Sequence, residues 1–381
     1  MVHPRMAALL EQGQSIWQDD ISRAQLTSGE LERAISEIGI RGLTSNPTIF
    51  EKAISSGTDY DEQIMELLRA GKSAAEIFDE IAVADIQAAC DLFRPLYDAT
   101  DGADGFCSIE VSPKAARDPE MTRVEVRRLW EAVSRPNLMV KIPGTAEGAP
   151  VIEEMLTEGY NINITLLFSI DSYTRVAEAY IAALEKRLQA GKPIDHIASV
   201  ASFFVSRVDT AVDKQLHAKI QAATSGAERK RLEALKGKAA VANAKLAYQQ
   251  FREIFGGPRF KPLRERGAKV QRPLWASTGT KNPAYSDVLY VESLIGPHTV
   301  NTMPRHTLAA FLDHGVVERT VDRNVDEARQ VFQELAAAGI DFAQVTRALE
   351  DEGIAAFVAS YEQLLAGVEA KRAALAEVAR A

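Results

Sequence analysis

The chain has 381 residues, of which 46% are hydrophobic, 25% charged and 7% aromatic, a composition typical of a globular protein and not of a disordered or fibrous one. Its formal charge of -9 provides no overall positive field that would attract nucleic acid or an anionic membrane surface. We therefore expect neither partner, and an anionic ligand would need cations placed locally.

The sequence favours a cytoplasmic location. Charged residues interrupt the apolar runs before any reaches the roughly 20 residues that a membrane-spanning helix needs. The first residues lack the apolar segment and cleavage site of a secretory signal. Cys90 and Cys107 form no C-x-x-C pair, so a reducing compartment explains them most simply, with a single disulfide as the alternative.

Eight short runs rich in apolar or β-branched residues recur along the chain and predict strands. They lie near residues 15–19, 40–45, 106–111, 138–142, 161–168, 196–204, 270–276 and 298–302. Helical patterns separate them: residues 147–158 are amphipathic and end at Gly159, a typical helix stop. We expect Asp171 or Ser172 to cap the next helix.

Strands that alternate with helices run parallel, because each helix returns the chain to the same end of the sheet. Eight such units favour an α/β fold of the closed (β/α)8, or TIM-barrel, type. An open doubly wound sheet is the alternative, but no G-x-G-x-x-G follows a strand, which disfavours its dinucleotide-binding form. We expect one barrel domain over residues 1–381, with helical insertions at about 50–103 and 207–256 and helices from about residue 323 packed outside the barrel.

One cation, Lys141, lies inside the apolar run Leu138–Ile142, directly before Pro143 and Gly144. In a parallel barrel the carboxyl ends of the strands face the active site, where burial would disfavour the ammonium form of a lysine. A neutral amine can attack a ketone and form an imine, which accepts the electrons released when a neighbouring carbon–carbon bond breaks. A lysine that merely reaches water from a strand end is the more common case on residue type alone.

Other strands also end in polar residues, which favours a polar pocket. These residues are Asp19, Asn46, Glu110, Ser202 and Arg207, with Asn163 and Thr165 on one face of the fifth strand. His298 could also face the pocket, although a structural histidine is the ordinary case. The six histidines and two cysteines show no metal-ligand spacing, and no G-x-S-x-G occurs, so we expect neither a metal site nor a serine hydrolase.

Four segments together resemble the transaldolase family. They are GLTSNPT at 42–48, NLMVKIPGT at 137–145, NINITLLFS at 161–169 and ASFFVSR at 201–207. The resemblance runs from about Ser15 to about Pro304 and is greater to the larger transaldolases than to the shorter sugar-phosphate aldolases. It implies a cofactor-free enzyme of the non-oxidative pentose phosphate pathway. Such an enzyme moves a dihydroxyacetone unit from sedoheptulose 7-phosphate to glyceraldehyde 3-phosphate, giving erythrose 4-phosphate and fructose 6-phosphate.

The resemblance also implies catalytic roles. The family's Schiff-base lysine matches Lys141, and its acid–base aspartate matches Asp19, with Asp20 as the alternative. Its glutamate matches Glu110 and its fifth-strand threonine Thr165. Imine formation and carbon–carbon cleavage require protons to move at different atoms. We therefore expect Asp19 to act at the substrate C4 hydroxyl, and Glu110, with Thr165 and a water, at imine formation and hydrolysis.

Substrate-binding positions follow from the same resemblance. Asn46 and Asn163 match the asparagines that hold the dihydroxyacetone hydroxyls, and we add Ser202 from the sixth strand. Arg207 matches the family's phosphate-binding arginine, whose planar guanidinium can bind two oxygens at once.

The second phosphate-binding element is expected after the seventh strand. Ser277 matches the family there, but the nearby arginine is missing, so Lys281 is expected to replace it as a point charge. Arg305 lies too far along the chain to be carried over.

Two alternatives remain open at this point. A fructose 6-phosphate aldolase would release free dihydroxyacetone, and a non-catalytic barrel would only bind sugar phosphates. In every case we expect small sugar phosphates as ligands and a monomer or homodimer.

Overall fold

The structure, a computed structural model, describes residues 2–378; the remaining positions of the predicted 1–381 domain lie outside the described residues. A closed barrel of parallel strands follows the order of the sequence, and the last strand pairs with the first. The strands are β1 (Gln14–Asp19), β2 (Gly42–Thr44), β3 (Phe106–Glu110), β4 (Leu138–Pro143), β5 (Ile162–Leu167), β6 (Ser199–Phe204), β7 (Arg272–Ala276) and β8 (Thr299–Met303). The predicted α/β class and (β/α)8 barrel are confirmed.

Helices connect the strands and surround the barrel. They are α1 (Pro4–Glu11), α2 (Arg23–Thr27), α3 (Glu30–Arg33), α4 (Pro47–Ser55), α5 (Asp61–Arg69), α6 (Ala74–Ala99), α7 (Pro119–Val133), α8 (Ala149–Glu158), α9 (Ile170–Gln189), α10 (Ser206–Ala222), α11 (Gly226–Glu233), α12 (Ala239–Gly256), α13 (Lys261–Arg264), α14 (Leu289–Glu292), α15 (Arg305–His314), α16 (Val325–Ala337) and α17 (Phe342–Val378). A π-helical turn, Ala34–Ile38, follows α3, and a 3-10 turn, Pro113–Ala115, follows β3. None of these helices is long and apolar enough to cross a membrane.

Local signals explain how α8 and α9 begin and end. Gly159 ends α8 in a left-handed conformation with φ 118°, as predicted. The cap of α9 was predicted wrongly at Asp171 or Ser172, since Ser169 caps it. The Ser169 hydroxyl accepts the Ser172 N–H at 3.1 Å, and the Ser172 hydroxyl accepts the Ser169 N–H at 3.3 Å. Strand β5 ends at Leu167, so the first serine after it is free to satisfy the helix amides.

Strand side chains alternate between two separate cores. The outward side chains pack against the helices and form the main core. A second core, here called the apolar layer, consists of strand residues together with Ala198, which directly precedes β6: Trp17, Phe106, Met139, Ala198, Val200, Leu274, Ala276 and Val300. Gly42 faces this layer because a Cβ there would lie 2.5 Å from the Trp17 ring. The layer fills the middle of the barrel and separates its two ends.

The last two helices pack differently. Helix α16 packs against α12 on the outside of the barrel, as expected. Helix α17 contacts α4, α6, α10 and β5 and covers the carboxyl end of the barrel. The Thr48 hydroxyl donates to the Ser360 hydroxyl at 3.1 Å, and a Cβ on Gly353 would lie 3.1 Å from Leu166. Helix α17 therefore also packs outside the barrel, but over its carboxyl end, a position that the sequence left open because an amphipathic pattern marks the buried face without identifying what covers it.

Candidate active site

A cavity of about 740 Å³ opens at the carboxyl ends of the strands, beneath α17. Its walls include the ends of β1, β2, β3, β4, β5, β6 and β8 and the loop after β7. The α17 residues on the cavity are Gly353, Ala356, Phe357 and Ser360. The predicted polar pocket is therefore present, with a helical cover that the sequence did not indicate.

Lys141 and Glu110 lie side by side in the cavity wall. They are register partners on β4 and β3, so both side chains point inward. The Lys141 Nζ lies 3.4 Å from the Glu110 Oε1, and only 11% and 9% of the two side chains are exposed. Burial raises the pKa of Glu110, and the positive charge of Lys141 opposes that rise. This pair can exchange a proton over a short distance.

Asp19 ends β1 on the same cavity and belongs to a short hydrogen-bond chain. The Thr44 hydroxyl donates to Asp19 Oδ1 at 2.8 Å and lies 2.8 Å from the Thr302 hydroxyl. Because Thr44 has one hydroxyl proton and gives it to the ionised Asp19, Thr302 must donate to Thr44. Burial raises the pKa of Asp19, while Lys141 and the Thr44 hydrogen bond act in the opposite direction.

Asp20 points to a different set of partners. Its Oδ2 accepts a hydrogen bond from Gln25 Nε2 at 2.7 Å and an ion-paired hydrogen bond from Arg305 Nε. Arg305 also pairs with Glu30 at 2.9 Å. Asp20 also lines the cavity, but its carboxylate is engaged by an amide and a guanidinium.

The two polar residues of β5 occupy different positions. Thr165 lines the cavity, and its buried hydroxyl has no hydrogen-bond partner among the described residues. Asn163 is fully buried and does not line the cavity. Its Nδ2 donates to Ser108 at 3.0 Å, and its Oδ1 accepts from Ser202 at 2.7 Å. Ser202 itself lines the cavity, so Asn163 orients a cavity residue instead of facing the cavity directly.

Asn46 lies on the cavity wall at the start of α4. Its Oδ1 accepts the Ile49 N–H at 3.1 Å and so caps the helix. This capping bond fixes the side chain and leaves its amide nitrogen as the group that can donate to a ligand.

The three predicted phosphate-binding residues all lie on the same cavity. Arg207, at the start of α10, is half-buried with its guanidinium 5.3 Å from the centre of the Phe204 ring. Burial lowers the pKa of Arg207, and a negative charge on Glu352 counteracts this. Ser277 lies 3.0 Å from the Ser206 hydroxyl, and Lys281 is exposed at the rim. Within residues 2–378 no carboxylate oxygen lies within 4.0 Å of Arg207 or Lys281.

The backbone is strained at two points of the cavity wall. Leu166, next to a bulge in β5, has φ 60°, and Ser277 has φ 57°. Such left-handed conformations are costly for residues other than glycine and cluster at functional sites. No sequence signal announced them.

The structure corrects the placement of Arg305 and decides between the two alternatives for His298. Arg305, set aside as too far along the chain, lines the cavity, because β8 lies beside β1 and delivers the start of α15 to the same rim. His298 does not face this cavity: it precedes β8 and therefore lies at the amino end of the barrel. Lys52 and His306 also line the cavity and were missed. Each lies on a helix that directly follows a strand, Lys52 on α4 and His306 on α15, and this position was the signal that the sequence offered.

We also searched the described residues for metal-ligand clusters and for a disulfide. Within residues 2–378, no group of three or more His, Cys, Asp or Glu side chains could hold a metal ion. Cys90 and Cys107 are both buried free thiols, so the disulfide alternative is wrong for this structure.

Fold and site together define a (β/α)8-barrel enzyme whose pocket is built around a buried lysine and two carboxyl groups. The family model described as transaldolase/fructose-6-phosphate aldolase matches residues 16–368. The chain belongs to this family, and the predicted family resemblance is confirmed.

Individual relatives cover nearly the whole chain. A transaldolase of Saccharopolyspora erythraea is 50% identical over 361 residues, 94% of this chain and 95% of the relative. A transaldolase of Trichodesmium erythraeum is 47% identical over 373 residues, 97% of this chain and 98% of the relative. A transaldolase of Mycobacterium tuberculosis (strain CDC 1551 / Oshkosh) is 47% identical over 365 residues, 95% of this chain and 96% of the relative.

Proposed function

We propose that this family member is a transaldolase, a transferase that moves a dihydroxyacetone unit from sedoheptulose 7-phosphate to glyceraldehyde 3-phosphate through an imine on Lys141. The observation that carries the proposal is the buried Lys141 Nζ, 3.4 Å from Glu110 in a cavity that also contains Asp19. The relatives named transaldolase support the same reaction.

Imine formation is assigned to Lys141 and Glu110. The raised pKa of Glu110 suits its carboxylate to take the proton that Lys141 must lose before its nitrogen attacks the substrate ketone. The resulting carboxylic acid then protonates the carbinolamine oxygen, which leaves as water. Thr165, whose hydroxyl has no hydrogen-bond partner within residues 2–378, is suited to hold this water and the one that later hydrolyses the imine.

Carbon–carbon cleavage is assigned to Asp19. Its carboxylate takes the proton of the substrate C4 hydroxyl while the C3–C4 electrons move into the protonated imine, and the aldose departs. The raised pKa of Asp19 makes it a stronger base than an exposed aspartate. Asp20 is less suited to this role because Gln25 and Arg305 already engage its carboxylate.

Substrate binding is assigned to two groups of residues. Asn46 and Ser202 are proposed to hold the dihydroxyacetone hydroxyls, with Asn163 orienting Ser202. Arg207, Ser277 and Lys281 are proposed to bind the phosphate, which Arg207 can contact through two nitrogens.

The cover of the cavity supports transfer over simple release. Helix α17 lies over the cavity mouth, where it can restrict the access of water to the bound three-carbon enamine until the acceptor aldehyde enters. We propose that the barrel and α17 work as one catalytic domain on sugar phosphates. The cytoplasmic location and the oligomeric state stay predictions.

The test is to treat the protein with borohydride in the presence of fructose 6-phosphate and to locate the reduced adduct by peptide mass spectrometry. The proposal requires the adduct on Lys141, and its absence there overturns the covalent mechanism. Donor cleavage is then measured with and without glyceraldehyde 3-phosphate. A transaldolase needs the acceptor for continued turnover, whereas equal rates would indicate an aldolase that releases dihydroxyacetone.

A further inference from the structure

A second cavity, of about 750 Å³, lies at the amino end of the barrel, on the far side of the apolar layer. It is as large as the cavity that contains Lys141, and its volume is within the range of about 300–1,000 Å³ typical of small-molecule sites. Phe106, Met139 and Val200 of the apolar layer form its inner wall, and Phe251 and Phe255 of α12 form one side.

Every titratable side chain that lines this amino-end cavity is basic. Its lining includes Arg252, Arg264, Lys269, Arg272 and His298. No aspartate or glutamate among the residues that the structure describes lines it. In a chain with a formal charge of -9, this is a local reversal of sign. A cavity of one sign with apolar walls concentrates the field on whatever ion enters it.

Most of these charges lack a compensating carboxylate. Lys269 Nζ donates to the Asp195 backbone carbonyl at 2.6 Å, and Arg264 donates to the Phe255 carbonyl, both of them uncharged acceptors. Arg252 contacts only the Gln249 amide oxygen, at 3.5 Å, among the hydrogen bonds of the described chain. No carboxylate oxygen in residues 2–378 lies within 4.0 Å of Arg252, Arg264 or Lys269.

Arg272 has a carboxylate partner, but a shared one. Asp104 accepts from Arg272 at 3.1 Å and from Arg41 at 2.6 Å, so one negative charge faces two guanidinium groups. Burial lowers the pKa of His298, and the nearby positive charges of Arg272 and Arg264 lower it further. The cations of this cavity therefore repel one another, and an anion would relieve that repulsion.

We propose that the amino-end cavity is a binding site for an organic polyanion, a compound with two or more negative charges attached to an apolar body. Its anionic groups would lie among Arg252, Arg264 and Lys269, where charge-assisted hydrogen bonds are available. Its body would lie against the apolar layer and the α12 phenylalanines. This site is independent of the proposed function, because none of its residues lines the Lys141 cavity.

Isothermal titration with adenosine diphosphate and with inorganic diphosphate tests the proposal. We expect adenosine diphosphate to bind and the Arg252→Gln/Arg264→Gln double variant to bind it about tenfold or more weakly, since two charged donors are lost. Lys261→Gln is the matched control, because Lys261 lies on the same short helix as Arg264, is exposed and does not line the cavity. It should bind like the wild type.

Further measurements separate this site from the Lys141 cavity. Fructose 6-phosphate should not displace adenosine diphosphate, and Arg252→Gln should keep wild-type turnover. Inorganic diphosphate should bind more weakly, because it has no apolar body. Equal affinity of both probes, displacement by fructose 6-phosphate, or unchanged affinity in the double variant would each overturn the proposal. Arg252→Glu alone, at an exposed position with little folding risk, should abolish binding and gives the same decision if the double variant is unstable.

Discussion

The two ends of the barrel use the same strands for different chemistry. On β8 the inward positions change from Val300 to Thr302, with His298 just before the strand at the amino end, and on β4 they change from Met139 to Lys141. The carboxyl end therefore holds a lysine among carboxyl groups of raised pKa, whereas the amino end holds cations without lining carboxylates. The apolar layer lies between them. Consecutive inward residues of a strand are two positions apart. Two positions are therefore enough to replace an apolar side chain by a catalytic one, because each inward layer of the barrel has its own set of neighbouring side chains.

The largest expected effect belongs to the carboxyl end. Lys141→Met should lower turnover on the order of 10⁴-fold or more, since it removes the amine that is the proposed covalent catalyst. Lys281→Met is the matched control, because it removes a lysine from the same cavity. It should raise KM but still yield the borohydride adduct. Steady-state kinetics and mass spectrometry measure both, and an active Lys141→Met enzyme would contradict the proposed role.

Removing each of the two carboxyl groups at the carboxyl end of the barrel should slow a different step of the reaction. Glu110→Gln should lower kcat about 10²- to 10⁴-fold, because proton transfer during imine formation is lost. Its adduct with fructose 6-phosphate should therefore form slowly. Asp19→Asn should form the imine but cleave it slowly, so borohydride should trap the intact six-carbon sugar instead of the three-carbon fragment.

The mass of the trapped adduct decides between the assigned roles. A three-carbon adduct in Asp19→Asn at the wild-type rate would remove Asp19 from the cleavage step. In the wild type, kcat should fall on the acid side at a pH above the usual pKa range of carboxylic acids. Burial raises the pKa of Asp19 and Glu110, and a raised pKa means that each base becomes protonated at a higher pH than an exposed one.

Substitution in the apolar layer should affect stability more than chemistry. Leu274 is fully buried in the layer, so Leu274→Ala should lower the free energy of unfolding by about 2–5 kcal/mol through lost burial and a new void. Leu10→Ala, at a residue 43% exposed, should change it by less than about 0.5 kcal/mol. Denaturant unfolding measures both. If Leu274→Ala were as stable as Leu10→Ala, the layer would not be a structural partition.

The sequence predicted what depends on local pattern. Strands buried on both faces read as continuous apolar runs, so the single cation Lys141 was conspicuous, and the family motifs located Asp19, Asn46 and Glu110. The sequence could not predict contacts between residues that are distant in the chain and meet only when the barrel closes. Arg305 meets Asp20 across 285 positions of the chain, and the direction of Asn163 depends on Ser108 and Ser202.

The same limit applies to helix α17 and to His298. The pattern of α17 marked a buried face, but only tertiary structure shows that this face covers the cavity mouth. His298 was read as part of a strand, but β8 begins at Thr299, so His298 precedes the strand and lies at the amino end of the barrel. The apolar run did not show where the strand begins, and strand bounds depend on pairing with neighbouring strands.

The smallest effect should come from the hydrogen-bond chain behind Asp19. Thr44→Val removes the hydroxyl that donates to Asp19, and this donor stabilises the ionised carboxylate. The pKa of Asp19 should therefore rise further, the acid limb of kcat should move to higher pH, and turnover on that limb should fall about tenfold. Thr44→Ser keeps the donor and should restore the wild-type profile. A pH profile identical in Thr44→Val and Thr44→Ser would show that the hydroxyl only fills space, and Thr302, which donates to Thr44 when Asp19 is ionised, would then have no part in tuning the base.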